Sequence, residues 1–251
     1  MVKLLQNQVC IITGAGKGIG RAMAESFLEH GAKLALITRS EEDIKSLNYE
    51  LNLPNENLLT YCGDVSVEST VNDFVLLVLK KYGKIDVLVN NAGIRFRKRF
   101  LETTSKEFKN IFEINVGSMF LFMQAVIPHM LKHNQGKVIN MSSVAGTLGL
   151  PELSSYVTSK SAIVGLTKST ALEFAENNIQ INAIAAGFCK TSYFENFKKK
   201  SDLYDFTLNR TPMRRWGESK EIANACLFLA SNLSDYVTGE VLNVDGGWSA
   251  W

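Results

Sequence analysis

Short apolar runs alternate with segments of helical spacing along nearly the whole chain, and this alternation restricts the possible folds more than any other feature. The β-rich runs at 9–13, 33–38, 58–62, 85–90, 137–141, 179–184 and 241–244 predict strands. Between them, helices are predicted at 18–30, from Glu41 onward, at 67–82, 105–132, 154–176 and 220–230. Gly31 and Gly83 stand where a left-handed residue closes a helix. Glu41, Glu42 and Asp43 stand where the helix dipole favours negative charge. Strand followed by helix, over and over, predicts an α/β fold: a Rossmann-like, doubly wound parallel sheet of about seven strands with helices on both faces. Four prolines in 251 residues leave little room for a Pro-rich linker, and no repeat or low-complexity tract is evident. One domain over 1–251 is expected.

The first strand runs into Thr13-Gly14-Ala15-Gly16-Lys17-Gly18-Ile19-Gly20. Glycines let a backbone turn tightly and come close to a ligand, and a helix N-terminus directs its N–H groups at phosphate. The spacing departs from G-x-G-x-x-G, because Ile19 and Arg21 fall where its last glycine would stand. It is no Walker loop either, since Gly18 follows Lys17 where Ser or Thr is required. Its place between first strand and first helix predicts dinucleotide binding rather than a plain tight turn. The second strand ends in Thr38-Arg39-Ser40, without the carboxylate that would take a ribose 2′-hydroxyl. Lys17 and Arg39 therefore predict NADP(H) over NAD(H), the bland alternative being two solvated surface charges.

A second stretch, 143–160, carries candidate chemistry. Tyr156 and Lys160 are four residues apart, on one face if the segment is helical. A Tyr hydroxyl has a reference pKa of about 10, and a nearby ammonium favours the phenolate. Such a group can exchange a proton with an alcohol or ketone oxygen. Ser143, across a loop with two glycines and Pro151, can return as a donor to the same oxygen. Tyr-x-x-x-Lys alone recurs by chance on solvated helices, so its meaning depends on its surroundings.

Composition excludes some classes. A net charge of +2 gives no global attraction to nucleic acid or anionic membrane. Cys10, Cys62, Cys189 and Cys226 are scattered without C-x-x-C spacing, which predicts thiols in a reducing compartment. No secretory signal and no run of about 18 apolar residues is evident, so a cytoplasmic protein without a membrane helix is expected. His129 and His133 are one turn apart, but Met130 stands in the Glu place of H-E-x-x-H, and no metal site is predicted. Lys198, Lys199 and Lys200 read as solvated surface.

Taken in order, these motifs resemble the short-chain dehydrogenases/reductases from Thr13 to Gly247. The turn matches T-G-x-x-x-G-x-G, with Gly14, Lys17, Gly18, Ile19 and Gly20 as cofactor contacts. Asp64 and Val65 match the family's adenine contact, and Asn90, Asn91, Ala92 and Gly93 the segment closing the fourth strand. Asn115, Ser143, Tyr156 and Lys160 match the catalytic tetrad, and Thr191, four residues after Gly187, matches a further cofactor contact. The resemblance implies hydride transfer between NADP(H) and a carbonyl or secondary alcohol. Tyr156 would exchange the proton, Ser143 would hold the oxygen, and Lys160 would lower the Tyr pKa and bind the ribose. Asn115 would bend its helix and hold a water. A homotetramer built through the long helices and the last strand is implied as well. Ala186 replaces the family's Pro before Gly187, which should loosen the turn beside the nicotinamide.

Substrate signals are fewer. Residues 190–212 are expected to form a lid carrying Tyr193, Phe194, Phe197, Tyr204 and Phe206, or else an ordinary surface helix pair. Arg95, Arg97, Lys98 and Arg99 follow the fourth strand, able to attract a carboxylate or phosphate or to remain a solvated charge run. Pro212 to Gly217 is similar to a segment of gluconate 5-dehydrogenases, and His133-Asn134 and Asn177-Asn178 stand where carrier-protein reductases tend to be basic. A small polar ketone, keto acid or sugar acid is therefore the expected substrate, with 3-oxoacyl-carrier-protein reduction as the alternative. From another class, an idle cofactor-binding regulator remains. The apolar end, with Trp248 and Trp251, is expected to be buried.

Overall fold

A computed structural model describes residues 2–51, 56–191 and 194–250. The elements follow the predicted alternation: β1 (Val9–Thr13), α1 (Gly18–Glu29), β2 (Lys33–Thr38), α2 (Glu41–Leu51), β3 (Leu58–Cys62), α3 (Glu68–Tyr82) and β4 (Val87–Asn90). After them come α4 (Ser105–Phe112), α5 (Ser118–His133), β5 (Gly136–Met141), α6 (Ser154–Phe174) and β6 (Ile179–Ala186). The chain ends with β7 (Cys189–Lys190), α7 (Phe194–Lys198), α8 (Ser201–Arg210), β8 (Gly217–Glu218), α9 (Ser219–Ala230) and β9 (Val241–Val244). Among the described residues, seven strands form one sheet in the order β3-β2-β1-β4-β5-β6-β9. Every neighbouring pair in it is parallel.

A parallel sheet is covered on both faces, so its central strands need no alternation. Every residue of β1, β4 and β5 is buried accordingly. Side chains of opposite parity feed two separate cores. Cys10, Ile12, Val87 and Val89 pack with Met23 and Phe27 of α1 and Ile222 and Cys226 of α9. Val9, Ile11 and Leu88 pack with Phe74 of α3 and Phe122 and Val126 of α5. The strand order reverses between β1 and β4, and a crevice opens there at their carboxyl ends.

Some expectations need correction. The helix predicted at 105–132 is interrupted at Glu113–Gly117 by a wider turn of π type. Together the run Ser105–His133 is 29 residues long and apolar enough, by length and composition, to cross a membrane. This corrects the reading that no such span exists. The apolar character has a local cause, since Phe122, Val126 and Met130 lie in the core beneath the sheet. The strand predicted at 85–90 begins at Val87, and the sixth extends to Ala186 because Ala183 to Ala186 pair with Val241 to Val244. The short pair β7–β8 was not foreseen. Residues 194–210 form two short helices, while Tyr193 and Trp251 lie outside the described residues. Trp248 is buried against Phe188 and Phe206 of its own chain.

Candidate active site

The glycine-rich turn is pinned to the end of β4. The Thr13 hydroxyl accepts from the amides of Asn91 and Ala92, both at 2.9 Å, and Asn91 Nδ2 donates to the carbonyls of Thr13 (2.9 Å) and Gly14 (3.1 Å). Gly14 has φ +64°, and a Cβ there would lie 2.9 Å from the Ala92 Cα. A Cβ on Gly20 would meet the Gly14 carbonyl and sit 2.7 Å from Asn91 Nδ2. Only glycine permits this approach. Lys17, the residue before α1, places no side-chain acceptor on the first helical amides, which leaves them open to an anion.

Beside the turn lies a cavity of about 420 Å³. Gly14, Lys17, Gly18, Ile19, Gly20, Arg39, Asp64, Val65, Asn91, Ala92, Gly93 and Thr191 all line it. Every predicted cofactor contact outside the tetrad therefore converges here except Gly187, which lines the adjoining cavity. Hydrogen bonds from the Ser66 hydroxyl (2.7 Å) and amide (3.0 Å) hold the Asp64 carboxyl below its ordinary pKa, with a smaller push from Arg39. These residues suit a dinucleotide: a cradle that a Cβ would fill, free helix amides, two exposed cations and a carboxylate at the far end.

Sequence reasoning missed two residues here. Asp43 also lines the cavity, where its carboxylate lies against Gly16 and accepts a 3.4 Å hydrogen bond from Thr38. The expectation of a 2′ region without an anion is thereby corrected. Asp43 reads in sequence as one of three acids at a helix start, and only the turn after β2 carries it back to the glycines. Arg21 was noted merely as a break in motif spacing. Its guanidinium donates to the Gly16 carbonyl at 2.9 Å and pairs with Glu50 at 2.6 Å, which clamps the turn.

A second cavity, of about 640 Å³, adjoins the first. Ile19, Asn91, Gly93, Ile94 and Thr191 belong to both linings. Ser143, Tyr156 and Lys160 line this second space. Ser143 sits just past β5, and its hydroxyl accepts from the Ala145 amide at 3.2 Å. Tyr156 and Lys160 project from the first turns of α6. Burial is the main influence on the Tyr156 hydroxyl and raises its pKa above the ordinary value. A hydrogen bond from Ser143 and the charge of Arg95 oppose that rise. Burial lowers Lys160 to about 8. Its Nζ donates to the Met141 carbonyl at 2.6 Å and lies 5.7 Å from the centre of the Tyr156 ring. The amine therefore stands near the phenol, while the charge that lowers the Tyr in this structure is that of Arg95.

Asn115 is fully buried within the wide turn between α4 and α5. Its Oδ1 accepts from the Ile94 amide at 2.7 Å, and its Nδ2 donates to the Ile94 carbonyl and to Ser159 Oγ, both at 3.0 Å. Ser159 Oγ in turn donates to the Tyr156 carbonyl at 2.8 Å. Asn115 thus ties the loop after β4 to the helix that carries the phenol. Gly187 N–H donates to the Val244 carbonyl at 3.0 Å, and a Cβ at Gly187 would strike Asp245 at 2.6 Å. This packing fixes the turn after Ala186 without the proline.

A family model described as enoyl-(acyl carrier protein) reductase matches residues 14–249. The 3-oxoacyl-[acyl-carrier-protein] reductase of Thermotoga maritima is 37% identical over 97% of this chain and 98% of its own length. Gluconate 5-dehydrogenase of Gluconobacter oxydans is 34% identical over 94% of this chain and 93% of its own length. The solved structure of ElxO with NADP bound superposes with a TM-score of 0.92 at 33% identity, over 98% of this chain and all of that one. With its parallel sheet, glycine turn and serine, tyrosine and lysine around one cavity, this chain belongs to the short-chain dehydrogenase/reductase family of oxidoreductases.

Proposed function

We propose that the protein is an NADP(H)-dependent reductase of a small polar ketone, keto acid or sugar acid, with Tyr156 as the acid. The observation that carries this reading is the placement of Tyr156, Ser143 and Lys160 in a cavity continuous with the glycine cradle. When bound, the nicotinamide cofactor supplies or accepts a hydride. The chain's own residues do the rest. The open amides at the start of α1 take phosphate oxygens, Asp64 takes the adenine end, and Lys17 and Arg39 take the 2′-phosphate. The Ser143 hydroxyl donates to the substrate oxygen. Tyr156 gives that oxygen its proton. In reduction the phenol starts protonated and ends as the phenolate, its proton passing to the substrate oxygen. Lys160 holds the ribose, and Asn115, bound to Ile94 on two sides, keeps α6 in register with the loop.

Substrate class rests on weaker support. The relatives include an enzyme named for a carrier-protein thioester and one named for gluconate. The cations around the second cavity favour a small acid over a long acyl chain, and 3-oxoacyl-carrier-protein reduction is the second reading. A cytoplasmic homotetramer is part of the same proposal. It is supported by exposed Phe108, Phe112, Phe120 and Leu172 on α4, α5 and α6, and by β9 at the edge of the sheet.

The test offers NADPH and NADH in turn with keto acids, ketosugars and a 3-oxoacyl thioester, following absorbance of the reduced nicotinamide. Faster oxidation of NADPH with a keto acid or ketosugar is expected. A preference for NADH would reassign Asp43 as the acceptor of a ribose hydroxyl. Binding of the cofactor without turnover on any carbonyl would favour an idle regulator.

A further inference from the structure

We infer that the second cavity recognises an anionic group on its substrate through Arg95 and Lys200, which come from separate segments, the loop after β4 and the junction of α7 and α8. This rests on the reductase reading above and adds the group by which the substrate is chosen. Among the described residues that line the cavity, the charged ones are Arg95, Arg97, Lys160 and Lys200, and none is an Asp or Glu. A cleft lined by one sign of charge concentrates ligands of the other. Arg97 pairs with Glu152 at 3.5 Å, and Lys160 is bonded at depth to the Met141 carbonyl. Lys98 is turned away to Glu107 at 2.8 Å. Of the basic run after β4, Arg95 and Arg97 reach the lining of this cavity, in which no described residue is an Asp or Glu.

Position adds to charge. Arg95 lies near enough to influence the Tyr156 hydroxyl, so an anion held there sits a short chain's length from a carbonyl at Ser143 and Tyr156. Lys200 stands immediately before α8, at the joint with α7, and lines the cavity. Leu153, Leu203 and Phe206 add apolar wall to the same lining. A ligand with a carbonyl at one end, a few carbons and an anion at the other matches this lining. Carboxylate and phosphate share that chemistry, since both accept charge-assisted hydrogen bonds from guanidinium and ammonium.

The experiment uses one carbon skeleton in three forms: the oxo acid, its methyl ester and the corresponding oxo phosphate. Wild type is expected to prefer one of the anions over the ester by at least about tenfold in kcat/KM, and which anion it prefers assigns the group. Arg95→Gln and Lys200→Gln should each reduce that preference about fivefold to tenfold, and the double variant should erase it. The preference should also shrink with added salt. Equal use of ester and anions by wild type, or an unchanged preference in the double variant, overturns the inference alone. If none of the three is reduced, calorimetric titration of the same compounds with NADPH present separates the two claims. Anion-selective binding that the double variant loses upholds the anion site and ends the reductase reading, whereas no binding ends both.

Discussion

Lys160 is one of the residues whose chemistry the fold changes strongly. Burial lowers it to about 8 from an ordinary value of 10.5. Between those values the unfolded chain holds the proton that the folded chain has lost. Folding stability from this group therefore rises with pH across that window, and the cost of burying the charge is present in full below about 8. The same titration bears on function. The ammonium that would hold the ribose is lost as pH rises past about 8, so cofactor affinity should fall severalfold between about pH 7 and 9.5. A fluorescence titration of NADPH against pH checks this. Lys160→Met should bind more weakly and without the break, and an identical break in that variant would assign it to another group. Tyr156 was legible from spacing to Lys160 and Ser143, but its electrostatics were not. The sequence puts an amine one turn away and a Ser143 donor within a loop's reach, whereas the folded site adds burial and Arg95, which is remote in sequence.

At the scale of elements, the glycine turn and the paired helices over the cavity make separate predictions. Gly14 is at φ +64°, and a Cβ there would lie 2.9 Å from the Ala92 Cα, so Gly14→Ala must strain the turn and push β4 away. A loss of about 1–3 kcal/mol in stability is expected, with at least tenfold weaker NADPH binding. Urea unfolding and cofactor titration test it, and wild-type cofactor affinity would contradict the tight pinning. Trp216 holds α7 and α8 to the body. It is buried against Phe188, Phe194, Phe197 and Tyr204, with ring centres 4.9–5.7 Å apart, and its Nε1 donates to Thr207 at 2.7 Å. Trp216→Ala should cost about 3–5 kcal/mol if the cluster cannot collapse. Substrate KM should rise further than the Kd for NADPH, because these helices border the second cavity. Equal effects on both would place the cluster's role elsewhere. Strand and helix order was readable because each element carries its own periodicity and its own stop signal. The wide turn at Glu113–Gly117 left no mark on the periodicity and was signalled only by the family resemblance at Asn115, because Asn115 acts there through Ile94, 21 residues away. Asp43 was not readable, because its position depends on how the chain turns after β2.

For the whole molecule, the apolar surfaces of α4, α5 and α6 bear on assembly. Leu172 is 81% exposed, and Phe112 and Phe120 are exposed as well. If they meet copies of themselves, Leu172→Lys with Phe112→Asp should shift light-scattering mass from a tetramer toward smaller species, and an unchanged mass would remove these faces from the interface. The parallel sheet creates the reversal between β1 and β4, the reversal creates the crevice, and α6 carries a phenol to the crevice's inner end. The central claim is that this phenol is the proton source. Single-turnover reduction of a keto acid by NADPH, in wild type and Tyr156→Phe, tests it most directly. The account predicts a rate lower by about 10²–10⁴ in the variant, with NADPH affinity within about threefold of wild type. A variant that reduces the substrate at the wild-type rate would contradict it.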